Sequence, residues 1–191
     1  MVAGTQIDRE EYAEAGTPIL CLFGGMTSLC VFLAIYLGPG NRLYEAMARE
    51  KDAPKQTHYI LTPYLATLAG GLSTNILFGP VAIVGYLVTG IADAVAEPVG
   101  TRFGKHPYRT PSLTSVPSTR TLEGSAAVFI GSILALMASD LLLPEFVWPL
   151  TPLLLFPLLA LVFTIIEAFS PHGWDNFTLQ LLPTSLVVLI T

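Results

Sequence analysis

Apolar residues in this chain fall in long unbroken runs, and the polar residues collect in the gaps between them. The hydrocarbon core of a bilayer takes about 20 apolar residues as helix, so each run is a candidate membrane passage. The first covers residues 19–37 without a charge and stops at Gly38-Pro39-Gly40. The next, 59–96, is too long for one passage. Gly70-Gly71 and Ser73-Thr74-Asn75 punctuate it, which predicts two closely joined passages, the first short and carrying Pro63. Residues 126–143 form a fourth run, with Asp140 near its far end. A fifth, 146–169, contains Pro149, Pro152 and Pro157, and a shorter sixth, 177–191, contains Pro183. Prolines are tolerated in membrane helices because neighbouring groups satisfy the freed backbone. The pattern predicts an all-α fold: a polytopic transmembrane helical bundle of about six spans over residues 18–191, behind a polar segment 1–17.

Composition sharpens this reading. The chain is 52% hydrophobic and 12% charged, against about 25% charged in an ordinary soluble domain. The surplus of apolar surface has to face lipid. A net charge of −5 leaves no basic footprint for nucleic acid. Of the nine Lys and Arg, Arg42, Arg49, Lys51 and Lys55 follow the first run, and Arg102, Lys105, Arg109 and Arg120 follow the third. Two passages between those loops put eight of nine cations on one side, as the positive-inside rule expects; one passage would divide them evenly. The loop 170–176 then returns to the same, cytoplasmic, face and can meet segment 97–125. The first seventeen residues are acidic and polar, unlike the basic start of a signal peptide. Cys21 and Cys30 share one apolar run, where a disulfide is geometrically disfavoured, and read as packed thiols.

The candidate chemistry begins with Asp93 and Glu97, inside an apolar helix and four residues apart. Charges at membrane depth cost about 2.5–3.5 kcal/mol at the centre of a helix unless paired, hydrated or metal-bound. On one helix face, two hard oxygen ligands suit Mg²⁺, which usually arrives with nucleotide phosphates; a salt bridge to Arg102 or Lys105 suits them equally. Gly100 and Gly104 bracket Thr101-Arg102-Phe103, with Lys105-His106 behind. This loop could approach a polyphosphate or simply pack helices closely, and it lacks the Gly-Lys-Ser/Thr ending of a P-loop. Residues 110–121, rich in Ser, Thr and Pro, are expected to be mobile or extended, as a cover for a ligand or a plain connector. Glu123 sits where a helix start favours a carboxylate. Trp174 fits an interfacial aromatic belt, and His172 reads more readily as a polar loop residue than as an acid–base group.

Taken together, Asp93-Ala-Val-Ala, Gly100-Thr-Arg-Phe-Gly-Lys, Arg120-Thr-Leu-Glu-Gly-Ser and Glu167…Asp175-Asn176-Phe-Thr resemble the dolichol kinase, phytol kinase and CTP-dependent diacylglycerol kinase family. The blocks keep their order from about Arg49 to Leu182, about two thirds of the chain. The resemblance implies a membrane lipid-alcohol kinase that passes a phosphoryl group from CTP, with Mg²⁺, to an isoprenoid alcohol or diacylglycerol. It implies catalytic roles for Asp93, Glu123 and Asp175. It also implies nucleotide contacts from Gly100, Arg102, Gly104, Lys105, Arg120, Gly124, Ser125 and Asn176. Asp93 and Glu97 are the expected metal ligands. Electrostatic positioning is most of what phosphoryl transfer asks of a protein. Two departures stand out: Ala92 replaces the usual Gly before the central acid, and Trp174 replaces the first Asp of Asp-Asp-Asn.

The expected partners are a nucleotide and a membrane lipid. A second copy of the chain, or further N-terminal helices carrying the family's Arg-Lys…His segment, is expected to complete the site. The alternatives are CDP-lipid synthesis of the phosphatidate cytidylyltransferase kind, and a non-catalytic membrane subunit or transporter. The placement is testable: accessibility labelling at positions 105 and 172 should report one membrane face, and opposite faces would dismantle a site shared by the two loops.

Overall fold

A computed structural model describes residues 25–114, 116–143 and 146–191. The polar segment 1–17 and the start of the first run lie outside the described residues. The first helix, α1, is described over Gly25–Leu37 and ends where expected, at Gly38 and Gly40 with φ of 71° and 91°. A short α2, Arg42–Met47, starts at Asn41, whose side chain accepts from the Leu43 N–H at 2.9 Å. Val31, Tyr44 and Ile60 bury together and seat both helices on the helix that follows. Ser28 and Tyr64 hydroxyls meet beside them at 2.5 Å.

Three helical stretches are long and apolar enough to cross a membrane: Gln56–Phe103, Leu122–Leu142 and Pro152–Phe169. The first folds back on itself. Its leading half, α3 (Gln56–Phe78), ends at Gly79, whose φ of 57° and ψ of −129° are accessible to glycine and closed to other residues. Beyond it, Gly79–Ala82 makes a tight 3₁₀ turn that leads into α4 (Ile83–Leu87). The Tyr86 hydroxyl donates to Gly71 O at 3.0 Å and accepts from Asn75 Nδ2. Gly71 and Tyr86 would lie about 22 Å apart along one straight helix, so the two halves run antiparallel. The run is thus divided in two as expected, but the reversal sits at Gly79-Pro80 and not at Gly70-Gly71 or Ser73–Asn75. Those small residues lie inside α3, where Gly70 takes the close approach of Phe177.

After α4 the helix widens into a π turn, Val88–Asp93, and resumes as α5, Ala94–Phe103. A two-stranded antiparallel hairpin follows, β1 (Pro107–Thr110) paired with β2 (Ser118–Thr121), Tyr108 opposite Arg120. The hairpin corrects the all-α expectation and orders the Ser/Thr/Pro segment. Then come α6 (Leu122–Leu142), α7 (Pro152–Phe169) and α8 (Asp175–Ile190). The fifth run yields a helix only from Pro152, which occupies the first helical position where its missing N–H costs nothing. With 16 residues, α8 is about 24 Å long, short of the usual span, as is the described part of α1.

The interior is built from large apolar side chains such as Leu136, Phe163 and Leu179, yet apolar residues also cover much of the surface. Leu65, Leu68, Leu72 and Ile76 on α3, and Ile130, Leu134, Met137 and Leu141 on α6, form exposed apolar stripes. Thr74, Ser132, Ser139, Gln180 and Thr184 are buried alongside the apolar core. Helices meet through small residues: a Cβ on Gly131 would come within 2.6 Å of Ala92 Cα, and one on Gly85 within 2.7 Å of Gln180 Cα and Thr184 Oγ1. Gly85 N–H donates to that threonine at 3.0 Å. Gly85→Ala should therefore wedge α4 from α8 and cost about 1–3 kcal/mol, read as a lower thermal midpoint in detergent; an unchanged midpoint would refute the close crossing.

Candidate functional site

At one end of the bundle, four segments far apart in sequence converge: the turn 49–52, α5, strand β2 with the start of α6, and the turn 170–175 leading into α8. They enclose a cleft of about 330 Å³. Asp93, Gly100, Arg120, Gly124, Ser125, Asp175 and Asn176 all line it, as do Glu97 and Glu167. The residues singled out from the two loops thus share one cavity.

Arg120 organises the cleft. It projects from β2, and its Nε donates to Glu167 Oε1 at 2.8 Å and its Nη2 to Asp175 Oδ2 at 2.9 Å. Its Nη1 meets the backbone oxygen of Glu167. The guanidinium thereby joins the hairpin to the end of α7 and the start of α8. It ties these elements together. Glu167 is buried, and its Oε2 has no partner among the described residues.

Asp93 stands at the end of the π turn, half-buried. Asp175 and Glu167 are near enough to repel its carboxylate and Arg120 near enough to attract it. Among the described residues it has no hydrogen bond or ion pair. Each other carboxylate of the cleft is held by a cation. Glu97, the expected metal partner of Asp93, is taken by Arg49 Nη1 at 2.9 Å and Lys51 Nζ at 2.6 Å, not by Arg102 or Lys105. Among the described residues, no three His, Cys, Asp or Glu side chains converge tightly enough to hold a metal ion.

Several expected contacts fall elsewhere. Arg102, Gly104, Lys105 and Glu123 do not line the cleft. The first three are exposed, Arg102 lying over the Phe103 ring at 5.4 Å, and Glu123 turns outward to His106 Nδ1 at 2.7 Å. The glycines have a packing explanation. Thr121 caps α6 by accepting from Gly124 N–H at 3.1 Å. A Cβ on Gly100 would come within 2.9 Å of Thr121 Oγ1, and one on Gly104 within 2.6 Å of its Cγ2. Ser125 is bound by the Tyr108 hydroxyl at 2.6 Å, and Asn176 Nδ2 donates to Thr67 at 2.7 Å.

One residue had no signal in the sequence. Asp52, in a polar loop, is buried, and holds Arg49 Nε at 2.7 Å and His172 Nε2 at 2.9 Å. His172 stacks on Tyr59 with ring centroids 4.4 Å apart, and its backbone N–H donates to Pro111 O. It pins its own loop to the turn 49–52 and to Pro111, and it also lines the cleft. Burial alone would lower the Arg49 pKa, but Glu97 and Asp52 outweigh it and raise it above the ordinary guanidinium value.

Comparison with protein-family models, with curated proteins and with solved structures returns no match. The site therefore stands on its own geometry. Because Glu167 and Asp175 depend on one guanidinium, Arg120→Gln should destabilise the chain by about 3 kcal/mol. Adding Glu167→Gln should recover part of that loss in the thermal midpoint; additive losses would count against the tie.

Proposed function

We propose that this chain is a multi-pass membrane enzyme whose cleft lies at the cytoplasmic end of the bundle. It transfers a phosphoryl group from CTP, or a related nucleotide, to a lipid alcohol such as an isoprenoid alcohol or diacylglycerol. The observation that carries this reading is the unpaired Asp93 carboxylate, in a cleft whose other acids are all neutralised by cations. A charge at the membrane boundary without a partner is costly, and such a residue is by default a functional one. The exposed apolar stripes on α3 and α6 support immersion in lipid, and the eight loop cations support a cytoplasmic cleft. The motif blocks around Asp93, Arg120 and Asp175 supply the reaction class.

Chemically, the lipid hydroxyl oxygen attacks the terminal phosphorus of the nucleotide. The bond from that phosphorus to the bridging oxygen breaks, CDP leaves, and the hydroxyl proton passes to Asp93. Mg²⁺ would neutralise phosphate charge. Since no protein group of three ligands is present among the described residues, it would enter on the phosphates with Asp93 as the nearest open carboxylate. Arg120 keeps Asp175 and Glu167 in place around that acid.

Asp93→Asn should lower lipid phosphorylation at least about 100-fold, measured as label passing from γ-labelled CTP to lipid alcohols in reconstituted protein. Its thermal midpoint should stay near that of the parent, because no hydrogen bond is lost. Retained phosphorylation would sink the proposal, and a CDP-lipid with pyrophosphate as products would replace it with cytidylyl transfer.

A further inference from the structure

The cleft needs cations if it is to hold a polyphosphate, and the expected ones are not available. Arg102 and Lys105 lie outside it, and all three nitrogens of Arg120 are engaged by Glu167 and Asp175. Arg49 and Lys51 remain, both lining the cleft. The turn that carries them, Glu50–Asp52, is firmly mounted. Its Asp52 is 1% exposed and binds Arg49 Nε on one side and His172 on the other. Gln56 Nε2 donates to the Arg49 backbone oxygen at 3.3 Å. The inner edge of the guanidinium is thus fixed, and Nη1 is left directed at the cleft, where it meets Glu97.

What occupies these cations is a carboxylate of the protein itself. Glu97 puts one oxygen on each: Oε2 on Arg49 and Oε1 on Lys51. The side chains of Glu97 and Lys51 are 44% and 51% exposed, so water screens their attraction and such a pair is weak. A phosphate group carries more charge than a carboxylate, has an oxygen to spare for each donor, and matches the flat fork of arginine. We infer that Arg49 and Lys51 form the polyphosphate subsite of the cleft, that Glu97 occupies it when no ligand is bound, and that phosphate oxygens displace Glu97 from it. The inference rests on reading the cleft as a nucleotide site, and it specifies where the phosphates bind and what they compete with. Glu97 is then a built-in competitor that lowers affinity and shields the cations from unrelated anions.

The test is equilibrium binding of tripolyphosphate, and separately of CTP with Mg²⁺, to the full chain purified in detergent. Lys51→Gln should weaken tripolyphosphate binding about five- to tenfold, the loss of one charge-assisted contact at a half-exposed site. Glu97→Gln should tighten it by a similar factor, and Lys51→Arg should restore it. Both side chains are half exposed, so the variants keep the parent helix content by circular dichroism. Parental affinity in Lys51→Gln, weaker binding in Glu97→Gln, or no binding of either probe by the parent chain would overturn the inference. Should the expected pattern appear without lipid phosphorylation, the subsite stands and the kinase reading falls. Lipid phosphorylation with no change of affinity in either variant would leave the kinase reading standing and remove the subsite.

Discussion

One half-buried cation decides the shape of the polar end of this molecule. Arg120 enters from a short hairpin strand and is bonded to both Glu167 and Asp175. Those two acids stand at the end of one long helix and the start of the next, so a single guanidinium sets the distance between three elements. The hairpin itself is two strands of four residues, too little to be stable alone. It holds its place because Arg120 anchors one strand, and Thr121 next door begins α6. Removing Arg120 from such an arrangement leaves both acids without their cation, whereas removing one acid leaves the other still paired with it.

Elsewhere the forces are different. The exposed stripes of Leu and Ile on α3 and α6 make no contact inside the bundle and do not hold its helices together. Cohesion comes from close approach at Gly85, Gly131 and Gly70, and from hydrogen bonds such as Gln180 to the Thr67 backbone and Thr184 to Gly85. Small and polar side chains therefore share the interior with an apolar core that includes Leu136, Phe163 and Leu179.

Much of this was legible in the amino-acid order. Charge-free runs located the helices, and Gly38-Pro39-Gly40 the end of the first. The clustering of cations required two passages between Lys55 and Arg102, and the antiparallel halves of Gln56–Phe103 meet that requirement. The reversal was misplaced because small residues mark close packing as readily as they mark turns; only the backbone at Gly79 separates the two uses. The partners of the charges were less accessible still. Arg102 and Lys105 are nearest to Asp93 and Glu97 in sequence, yet Glu97 pairs with Arg49, which is 48 positions away, and His172 meets Asp52 across 120. Local spacing carries no trace of contacts made by folding. Of the residues assigned through the family resemblance, Asp93, Arg120, Asp175 and Asn176 share the cleft, and Glu123 and Lys105 do not.

The π turn at Val88–Asp93 gives the position of Asp93 an unusual origin. A π turn hydrogen-bonds across five residues where an α-helix spans four, so it behaves as one extra residue absorbed without breaking the helix. Tightening it to α geometry would rotate everything beyond it by about 100°. Ala92 could then no longer nest against Gly131, and Asp93 would turn from the cleft. The acid is aimed by a phase offset in the helix that carries it, set by backbone hydrogen bonding and not by any side chain at the site.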